Sequence, residues 1–292
     1  MYRVSIIGAG VVGTAIGYLL KKSGYKISGI GSRTLESAYK AQHFIGEGEI
    51  STDLSAISKK ADIIFITTSD DAIEGVCNKL VREKGINTGA TVFHMSGALP
   101  SDILGSARNA GANVASLHPL QSLANVQEAV KNLPGSFFCL EGDDKAILIA
   151  RDIVKGLKGK IITLKSDKKP LYHAGASVAS NFLVATIRFG IELLEKAEIE
   201  KVVALEALLP LIKGTLMNIE SLGIPLALTG PISRGDINVV EGHLRSITKE
   251  IPERLRLYIE LGEYTLSIAR NKGKIVDNDV KAMKSLFDKY LK

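Results

Sequence analysis

Short apolar runs alternate with amphipathic segments through the first half of the chain, and long helical periodicities fill the second half. Between the apolar runs, the 3.6-residue period predicts helices over 12–22, 34–42, 71–82, 101–109, 122–131 and 144–157. The runs themselves predict strands at Val4–Ile7, Ile27–Ile30, Asp62–Thr67, Thr91–His94, Asn113–Leu117, Phe137–Leu140 and Lys160–Leu164. Near-continuous apolar strands suit a parallel sheet covered on both faces. We therefore predict a Rossmann-type, doubly wound, mostly parallel α/β sheet in residues 1–165.

From about Lys165 the glycine content falls and the helical segments become longer. Helices are predicted at Leu171–Lys196, Ile199–Leu222, Ile237–Lys249, Pro252–Asn271 and Asp277–Leu291. Residues 166–292 are therefore predicted to form an all-helical second domain. The stretch from Ala174 to Ile187 is apolar on nearly all faces, which predicts burial against a partner subunit or against the first domain.

The glycine pattern Gly8-Ala9-Gly10-Val11-Val12-Gly13 lies between the first predicted strand and the first predicted helix. Gly8 permits a tight turn, Gly10 lets the backbone approach a pyrophosphate, and Gly13 lets helix and strand pack closely. The helix N-terminus, with Val11 and Val12 in its first turn, faces the phosphate charge. This strand, turn and helix together predict a dinucleotide site.

The end of the second predicted strand bears on the choice of cofactor. NAD enzymes place an Asp or Glu there to bind the ribose, whereas this chain has Ser32, Arg33 and Thr34. An arginine can make charge-assisted bonds to a 2′-phosphate, and the two hydroxyls can share its oxygens. We predict NADP(H) over NAD(H); a solvated turn that caps the next helix would leave the preference open.

Composition limits the classes of partner. The 292-residue chain carries a formal net charge of +6 without a basic block, has no Trp and is 5% aromatic, which argues against a nucleic-acid partner and suits a small anionic metabolite. Cys77 and Cys139 form neither a disulfide framework nor a metal-ligand spacing, so no metal is expected and a reducing cytoplasm is predicted.

The uncharged run Val4–Leu20 fits the dinucleotide pattern rather than a signal peptide. No other uncharged run is expected to reach bilayer-spanning length, so no membrane association is predicted.

Three further strand ends are polar, and ligands of open α/β sheets bind beyond the carboxyl ends of strands. Thr68 and Ser69 are predicted near the nicotinamide ribose, Ser96 and Gly97 near its amide, and His118 facing the substrate. Structural roles stay open: Ser96-Gly97 as a turn, and His118 as a hydrogen-bonded structural histidine.

The first long helix of the second half carries a polar stripe. His173, Ser177 and Asn181 are four residues apart, so they share one helical face. Polar side chains in an apolar helix must be satisfied, and a ligand cleft is one way to do so. Close helix packing through Ser177, with bonds from His173 and Asn181 to loops, is the alternative.

A second polar cluster surrounds Gly235, which permits a turn that brings Arg234 and Asp236 together. Arg234 could hold a substrate carboxylate, with Asp236 orienting it or capping the next helix. A surface turn with a local ion pair is the alternative.

Taken together, these motifs resemble one family that pairs a Rossmann-like domain with a domain of unknown function 2520. The resemblance spans essentially the whole chain. It rests on the glycine fingerprint, Ser116-Leu117-His118-Pro119-Leu120, the stretch from His173 to Asn181, and the stretch from Thr229 to Asp236. It implies a branch of the 6-phosphogluconate-dehydrogenase-like oxidoreductases, beside ketopantoate reductase, pyrroline-5-carboxylate reductase and deazaflavin-dependent NADP reductases. It also implies a homodimer built on the helical domain.

The sequence departs from those relatives at one position. They place a lysine four residues before an asparagine on this helix, whereas Ser177 stands four residues before Asn181. The resemblance therefore implies an NADPH-dependent, ketopantoate-like reductase in which another group donates the proton. We predict His173 in that role, with His118 in reserve, and Asn181 and Ser177 polarising the carbonyl. An NADP-binding sensor without turnover and a deazaflavin-dependent reductase are the alternatives.

Overall fold

The computed structural model describes residues 2–273 and 275–291 of the chain. Two compact units are present, Met1–Asn181 and Phe182–Lys292. The predicted domain boundary at residue 165 lies where the last strand has ended. The structure instead keeps the first turns of the following helix with the first unit.

One eight-stranded sheet forms the centre of the first unit. Its strands are β1 (Arg3–Ile7), β2 (Lys26–Gly31), β3 (Glu49–Ser51), β4 (Ile63–Ile66), β5 (Thr91–His94), β6 (Asn113–Pro119), β7 (Phe137–Gly142) and β8 (Lys160–Thr163). Their spatial order is β3-β2-β1-β4-β5-β6-β7-β8. All neighbours are parallel except β6 and β7, which are antiparallel. The predicted mostly parallel sheet is confirmed, with β3 as an additional edge strand.

Helices cover both faces of this sheet. They are α1 (Val11–Lys22), α2 (Leu35–Ile45), α3 (Leu54–Ser58), α4 (Asp70–Arg82), α5 (Gly105–Asn109), α6 (Val126–Asn132) and α7 (Asp144–Gly156). Ile6 and Ile7 are adjacent in β1 but belong to different buried clusters, one beside α1, α2, α6 and α7 and the other beside α3, α4 and α5. Because neighbouring strand residues point to opposite faces, the central strands β1, β4, β5 and β6 contribute to both cores, which is the doubly wound arrangement.

The sheet positions the predicted site through the order of its central strands. β1, β4, β5 and β6 are consecutive neighbours and mutually parallel. Their carboxyl ends therefore meet at one edge, where the chain continues into Gly8, Thr67, Met95 and Leu120 respectively. Thr68 and Ser96 each lie one residue further along. His118 is the last residue but one of β6.

The second part of the chain is helical. Helix α8 (Lys169–Lys196) runs from the first unit into the second and is followed by α9 (Lys201–Leu222), α10 (Ile224–Ala227), α11 (Pro231–Arg234), α12 (Ile237–Glu250), α13 (Leu255–Lys272) and α14 (Asp277–Leu291). Val240, Leu244, Ile259, Leu266 and Phe287 form the core between α12, α13 and α14. The predicted all-helical region is confirmed.

Helices α8 and α9 expose large apolar side chains in the single chain. Val184 is 68% exposed, Leu211 66% and Met217 67%, so the apolar faces of these helices are open in the single chain. The segment from Ala174 to Ile187 is therefore mostly exposed there. By length and composition, Ser166–Lys196 and Lys201–Leu222 could each cross a membrane. The expectation from the sequence concerned uncharged runs, whereas these two helices meet the measure of length and hydropathy with charged residues in them.

Candidate functional site

A cleft of about 350 Å³ opens at the carboxyl ends of β1, β2 and β4. Gly8, Gly10, Ser32 and Arg33 line one side of it, and Thr68 and Ser69 line another. The structure thus brings half of the predicted cofactor residues into one cavity, and Ser96 and Gly97 are not in its lining. Val11, Val12 and Gly13 form the first turn of α1 immediately beyond the glycine loop.

The three fingerprint glycines meet different constraints. Gly8 has φ +116°, and a Cβ there would lie 2.7 Å from the Thr67 carbonyl carbon. A Cβ on Gly13 would collide with the Gly8 carbonyl oxygen and the Thr67 hydroxyl. Gly10 has φ −81°, and no protein atom lies within 4 Å of a Cβ placed on it. The fold requires Gly8 and Gly13, whereas the space beside Gly10 is open towards the cleft.

Arg33 and Thr34 differ in their availability. The Thr34 hydroxyl accepts from the Ser37 amide at 3.3 Å and caps α2. Arg33 is exposed, and its guanidinium makes no hydrogen bond or ion pair within residues 2–273 and 275–291. Thr34 therefore caps the next helix, as expected if this turn is only structural. The guanidinium of Arg33 stays available to an anionic ligand.

Thr68 presents an unpaired polar atom. Its hydroxyl is buried and has no hydrogen-bond partner in the part of the chain that the structure describes. A buried hydroxyl without a partner is costly. Its position in the lining of the cleft makes a bound ligand the natural partner.

Ser96 and Gly97, at the end of β5, contribute in different ways. The Ser96 hydroxyl donates to an Asp70 carboxylate oxygen at 2.7 Å and accepts from the Leu99 amide at 3.1 Å, so it is engaged within the protein. A Cβ on Gly97 would lie 2.6 Å from Nδ1 of His173 and 2.8 Å from Nε2 of His118. The backbone at Gly97 is therefore in contact with both predicted histidines.

A second cleft has a volume of about 580 Å³. It is lined by His118 from β6 and by His173, Ser177 and Asn181 from α8. The predicted polar stripe thus faces a cavity, and His118 joins it from the sheet. Asp70 directly follows Ser69 of the first cleft and bonds to Ser96, which precedes Gly97. The two clefts are thereby joined through a few residues.

The two imidazoles have different surroundings. His118 Nδ1 lies 2.9 Å from the Tyr172 hydroxyl, and the His118 and His173 rings meet edge to face at 6.1 Å. Burial, the nearby ammonium of Lys169 and then His173 lower the pKa of His118 to about 4. His118 is therefore neutral at neutral pH. Nδ1 of His173 is buried and has no partner among the described residues.

Two charged residues, Lys169 and Glu141, are buried and bond to groups of the first unit. Lys169 is completely buried and donates to the Ser96 carbonyl at 2.9 Å. Glu141 is 4% exposed and accepts from the Ser101 amide at 2.6 Å and from the Ser166 hydroxyl at 2.7 Å. Sequence reasoning missed both residues. Lys169 begins a helix, where a lysine is ordinarily solvated, so nothing in the sequence indicated its burial. Glu141 directly follows the apolar run Phe137–Leu140, and this position could have indicated a buried carboxylate.

The predicted pair in the second unit is present. Gly235 has φ +74° and ends α11. Arg234 Nη2 lies 2.8 Å from the Asp236 carboxylate. Asp236 precedes α12 but makes no side-chain cap bond to it, because its carboxylate binds Arg234. The turn and the ion pair are confirmed, while the carboxylate-binding role stays a prediction.

Two family models match adjoining parts of the sequence. Residues 1–119 match the Rossmann-like domain, and residues 136–265 match a domain of unknown function, DUF2520. The chain belongs to the family that pairs these two domains. In this family member the DUF2520 match begins just before β7, so the last two strands of the sheet fall within it.

Solved structures share this architecture. A Bacteroides fragilis protein provisionally classed as an NADP oxidoreductase is 25% identical over 91% of this chain and 98% of its own, with a TM-score of 0.75. A Thermotoga maritima protein is 28% identical over 92% and 99%, with a TM-score of 0.73. Pyrroline-5-carboxylate reductase from Coxiella burnetii, 17% identical over 97% of both chains with a TM-score of 0.60, shares the fold. No curated protein has a significantly similar sequence.

Proposed function

We propose that this family member is an NADPH-dependent reductase of the C=O bond, or alternatively the C=N bond, of a small carboxylate-bearing metabolite. A 2-oxo acid of the ketopantoate type is the leading substrate. The observation that carries the proposal is the arrangement at one sheet edge. There the glycine-loop cleft and the cleft of His118, His173, Ser177 and Asn181 meet through Ser96 and Gly97.

The first cleft fits a dinucleotide. The open space at Gly10 can admit a pyrophosphate against the start of α1, and the unpaired Thr68 hydroxyl can bond to a ribose. NADPH, when bound, supplies a hydride. Arg33 stands where a 2′-phosphate would need a cation.

Replacing Arg33 by Ala is expected to weaken NADPH binding about five- to tenfold, because an exposed charge-assisted bond is worth about 1 kcal/mol. NADH binding should stay the same. Fluorescence titration with both nucleotides measures the difference. Lys40→Ala is the matched control, since Lys40 is an exposed cation on the same helix-turn region, paired with Glu36 and outside the cleft. Equal loss of NADH and NADPH affinity in Arg33→Ala would contradict the NADP assignment.

In the second cleft, we propose a separate role in carbonyl reduction for each polar side chain. Asn181 and Ser177 are proposed to donate hydrogen bonds to the carbonyl oxygen, which stabilises the charge that develops there. His173 is proposed to deliver the proton to that oxygen. His118 is neutral and bonded to Tyr172, so it suits orientation of the substrate rather than proton donation.

The direct test is NADPH oxidation by the wild-type protein with a panel of 2-oxo acids, cyclic imines and deazaflavin. Turnover of a 2-oxo acid, ketopantoate first, is the expected result. Turnover of imines alone would assign the C=N reaction, and turnover of deazaflavin alone would assign a different electron acceptor. Tight NADPH binding with no oxidation across the panel would overturn the reductase proposal in favour of a sensor.

The exposed apolar faces of α8 and α9 are proposed to pack against a second copy of the chain. A bilayer suits them less, because Glu206, Lys213 and Glu220 recur every seven residues along α9 and Lys213 lies near its middle. A charge at the centre of a spanning helix costs about 3 kcal/mol. A protein partner can bury the apolar faces and leave this charged stripe in water. Cytoplasmic location, which the sequence predicts, is part of this proposal.

Changing Leu211 and Leu222 together to Glu is expected to convert a dimer into a monomer. Both side chains are exposed on one face of α9, away from the charged stripe, so two charges would have to be buried in the interface. Light scattering after size-exclusion chromatography measures the mass. Leu148→Glu is the matched control: Leu148 is 64% exposed on α7, away from α8 and α9 in sequence. A monomeric wild-type protein, or one that sediments with lipid vesicles, would contradict the dimer.

A further inference from the structure

Lys169 is a fully buried cation at the start of α8. Nζ donates to the carbonyl of Ser96 at 2.9 Å and to the hydroxyl of Ser116. Ser96 follows β5 and Ser116 lies within β6, so the lysine bonds to two neighbouring strands at once. The Ser116 hydroxyl also donates to the Ser96 carbonyl at 3.4 Å. Three elements therefore meet at one ammonium group.

Burying a lysine costs free energy, so filling space does not by itself explain Lys169. A buried ammonium loses its hydration, and a methionine of similar length would fill the same volume without that cost. Burial lowers the pKa of Lys169, and the buried carboxylate of Glu141 opposes this shift. The fold thus keeps an amine with two acceptors and a nearby counterion, directly behind Gly97 and His118.

We propose that Lys169 is a positioning residue of the second cleft. It ties the end of β5 to β6, and it thereby holds Gly97 and His118 against His173. The proposal rests on the proposed function for its purpose, but its geometry and its test are independent of turnover.

The same ammonium has an electrostatic effect on His118. The titratable groups that face this imidazole are Lys169, Tyr172 and His173 from α8, His94 from β5 and Cys139 from β7. Burial, chiefly, raises the pKa of both Tyr172 and Cys139 and lowers that of His94 to about 3, so these three are neutral at neutral pH. After burial, Lys169 is the largest cause that lowers the pKa of His118. Removing its positive charge makes protonation of His118 easier.

The test is Lys169→Met, with the exposed neighbour Lys168→Met as its matched control. The chain has five histidines, so imidazole NMR resonances can be assigned by single substitutions. In Lys169→Met the pKa of His118 is expected to rise by roughly one unit, since burial still acts on it. Hydrogen exchange across residues 94–99 should become faster. Lys168→Met should change neither. An unchanged His118 titration together with unchanged exchange in folded Lys169→Met would overturn the proposal.

A second variant keeps the test possible if Lys169→Met does not fold, because removing one member of a buried charge pair is strongly destabilising. Lys169→Met combined with Glu141→Gln removes both charges, and the same two changes are expected in it. If neither variant folds, Ser116→Ala keeps both charges and removes one acceptor of Lys169. Faster exchange across residues 94–99 with an unchanged His118 titration then supports the role, and unchanged exchange overturns it. Neither readout uses NADPH or a substrate, so failure here is distinct from failure of the reductase proposal.

Discussion

Replacing His173 by Ala is expected to lower kcat for NADPH oxidation between about a hundredfold and ten-thousandfold, the range for loss of a general acid. NADPH affinity should change little, because His173 lines the second cleft and not the first. Stopped-flow single turnover and fluorescence titration separate the two quantities. Asn181→Ala, which removes a proposed hydrogen bond to the carbonyl oxygen, should lower kcat in the same assay.

The assignment of the proton to His173 follows from the difference between the two imidazoles. His118 has a pKa of about 4 and a hydrogen bond to Tyr172, so almost none of it is protonated at neutral pH. His173 has an uncommitted Nδ1 among the described residues. Its ring lies in contact with Gly97 at the junction of the clefts.

His243→Ala is the control for these variants. His243 bonds to Tyr258 at 2.7 Å within the second unit, so its loss tests the effect of removing any bonded histidine. It should leave kcat unchanged. A His173→Ala protein that keeps wild-type kcat would contradict the proton-donor role, and a solvent proton donor would then have to be considered with Asn181 as the remaining polariser.

Much of the fold could be predicted because its elements are long or strongly periodic. The predicted strands agree with seven observed ones, and the five long helices of the second half agree closely in their bounds. Strand β3 has three residues, too few for a periodic signal. The antiparallel pairing of β7 with β6 was also not predictable, since the apolar pattern of a buried strand does not encode its direction.

The candidate site could likewise be predicted only where its residues lie close together in the sequence. Local patterns sufficed for the glycine loop and for the stripe of His173, Ser177 and Asn181, because each lies within one turn or one helix face. The bond from Lys169 to Ser116 joins residues 53 positions apart, and that from His118 to Tyr172 spans 54. Such contacts depend on tertiary packing, and nothing in the neighbouring sequence marks them.

Helix α8 shows that an apolar pattern indicates burial without indicating what covers the helix. A helix that is apolar on nearly all faces is expected to be buried. Val184 and its neighbours are exposed in the single chain, so the pattern describes an environment that one chain does not supply. The proposed dimer is the arrangement that would make the prediction and the structure agree.

Gly10→Ala is expected to weaken NADPH binding about five- to hundredfold while leaving the free protein folded. Gly10 has φ −81°, which alanine adopts readily, and no protein atom lies within 4 Å of the added Cβ. An alanine at this N-cap position costs at most about 1 kcal/mol of stability. The methyl group would instead occupy the space that the pyrophosphate needs. Overpacking of this kind costs about 1–3 kcal/mol, which corresponds to about a five- to hundredfold loss of affinity.

Two further glycines make this experiment decisive. Gly13→Ala should lose both stability and NADPH binding, because its Cβ would strike the Gly8 carbonyl and the Thr67 hydroxyl in the empty protein. Gly242→Ala, in the exposed middle of α12 with no atom near its Cβ, should gain up to about 1 kcal/mol of helix stability and bind NADPH normally. Thermal melts of the free proteins and titration with NADPH give all six values. Normal NADPH binding by Gly10→Ala would mean that the pyrophosphate does not contact this turn, and the dinucleotide would then have to be placed elsewhere in the cleft.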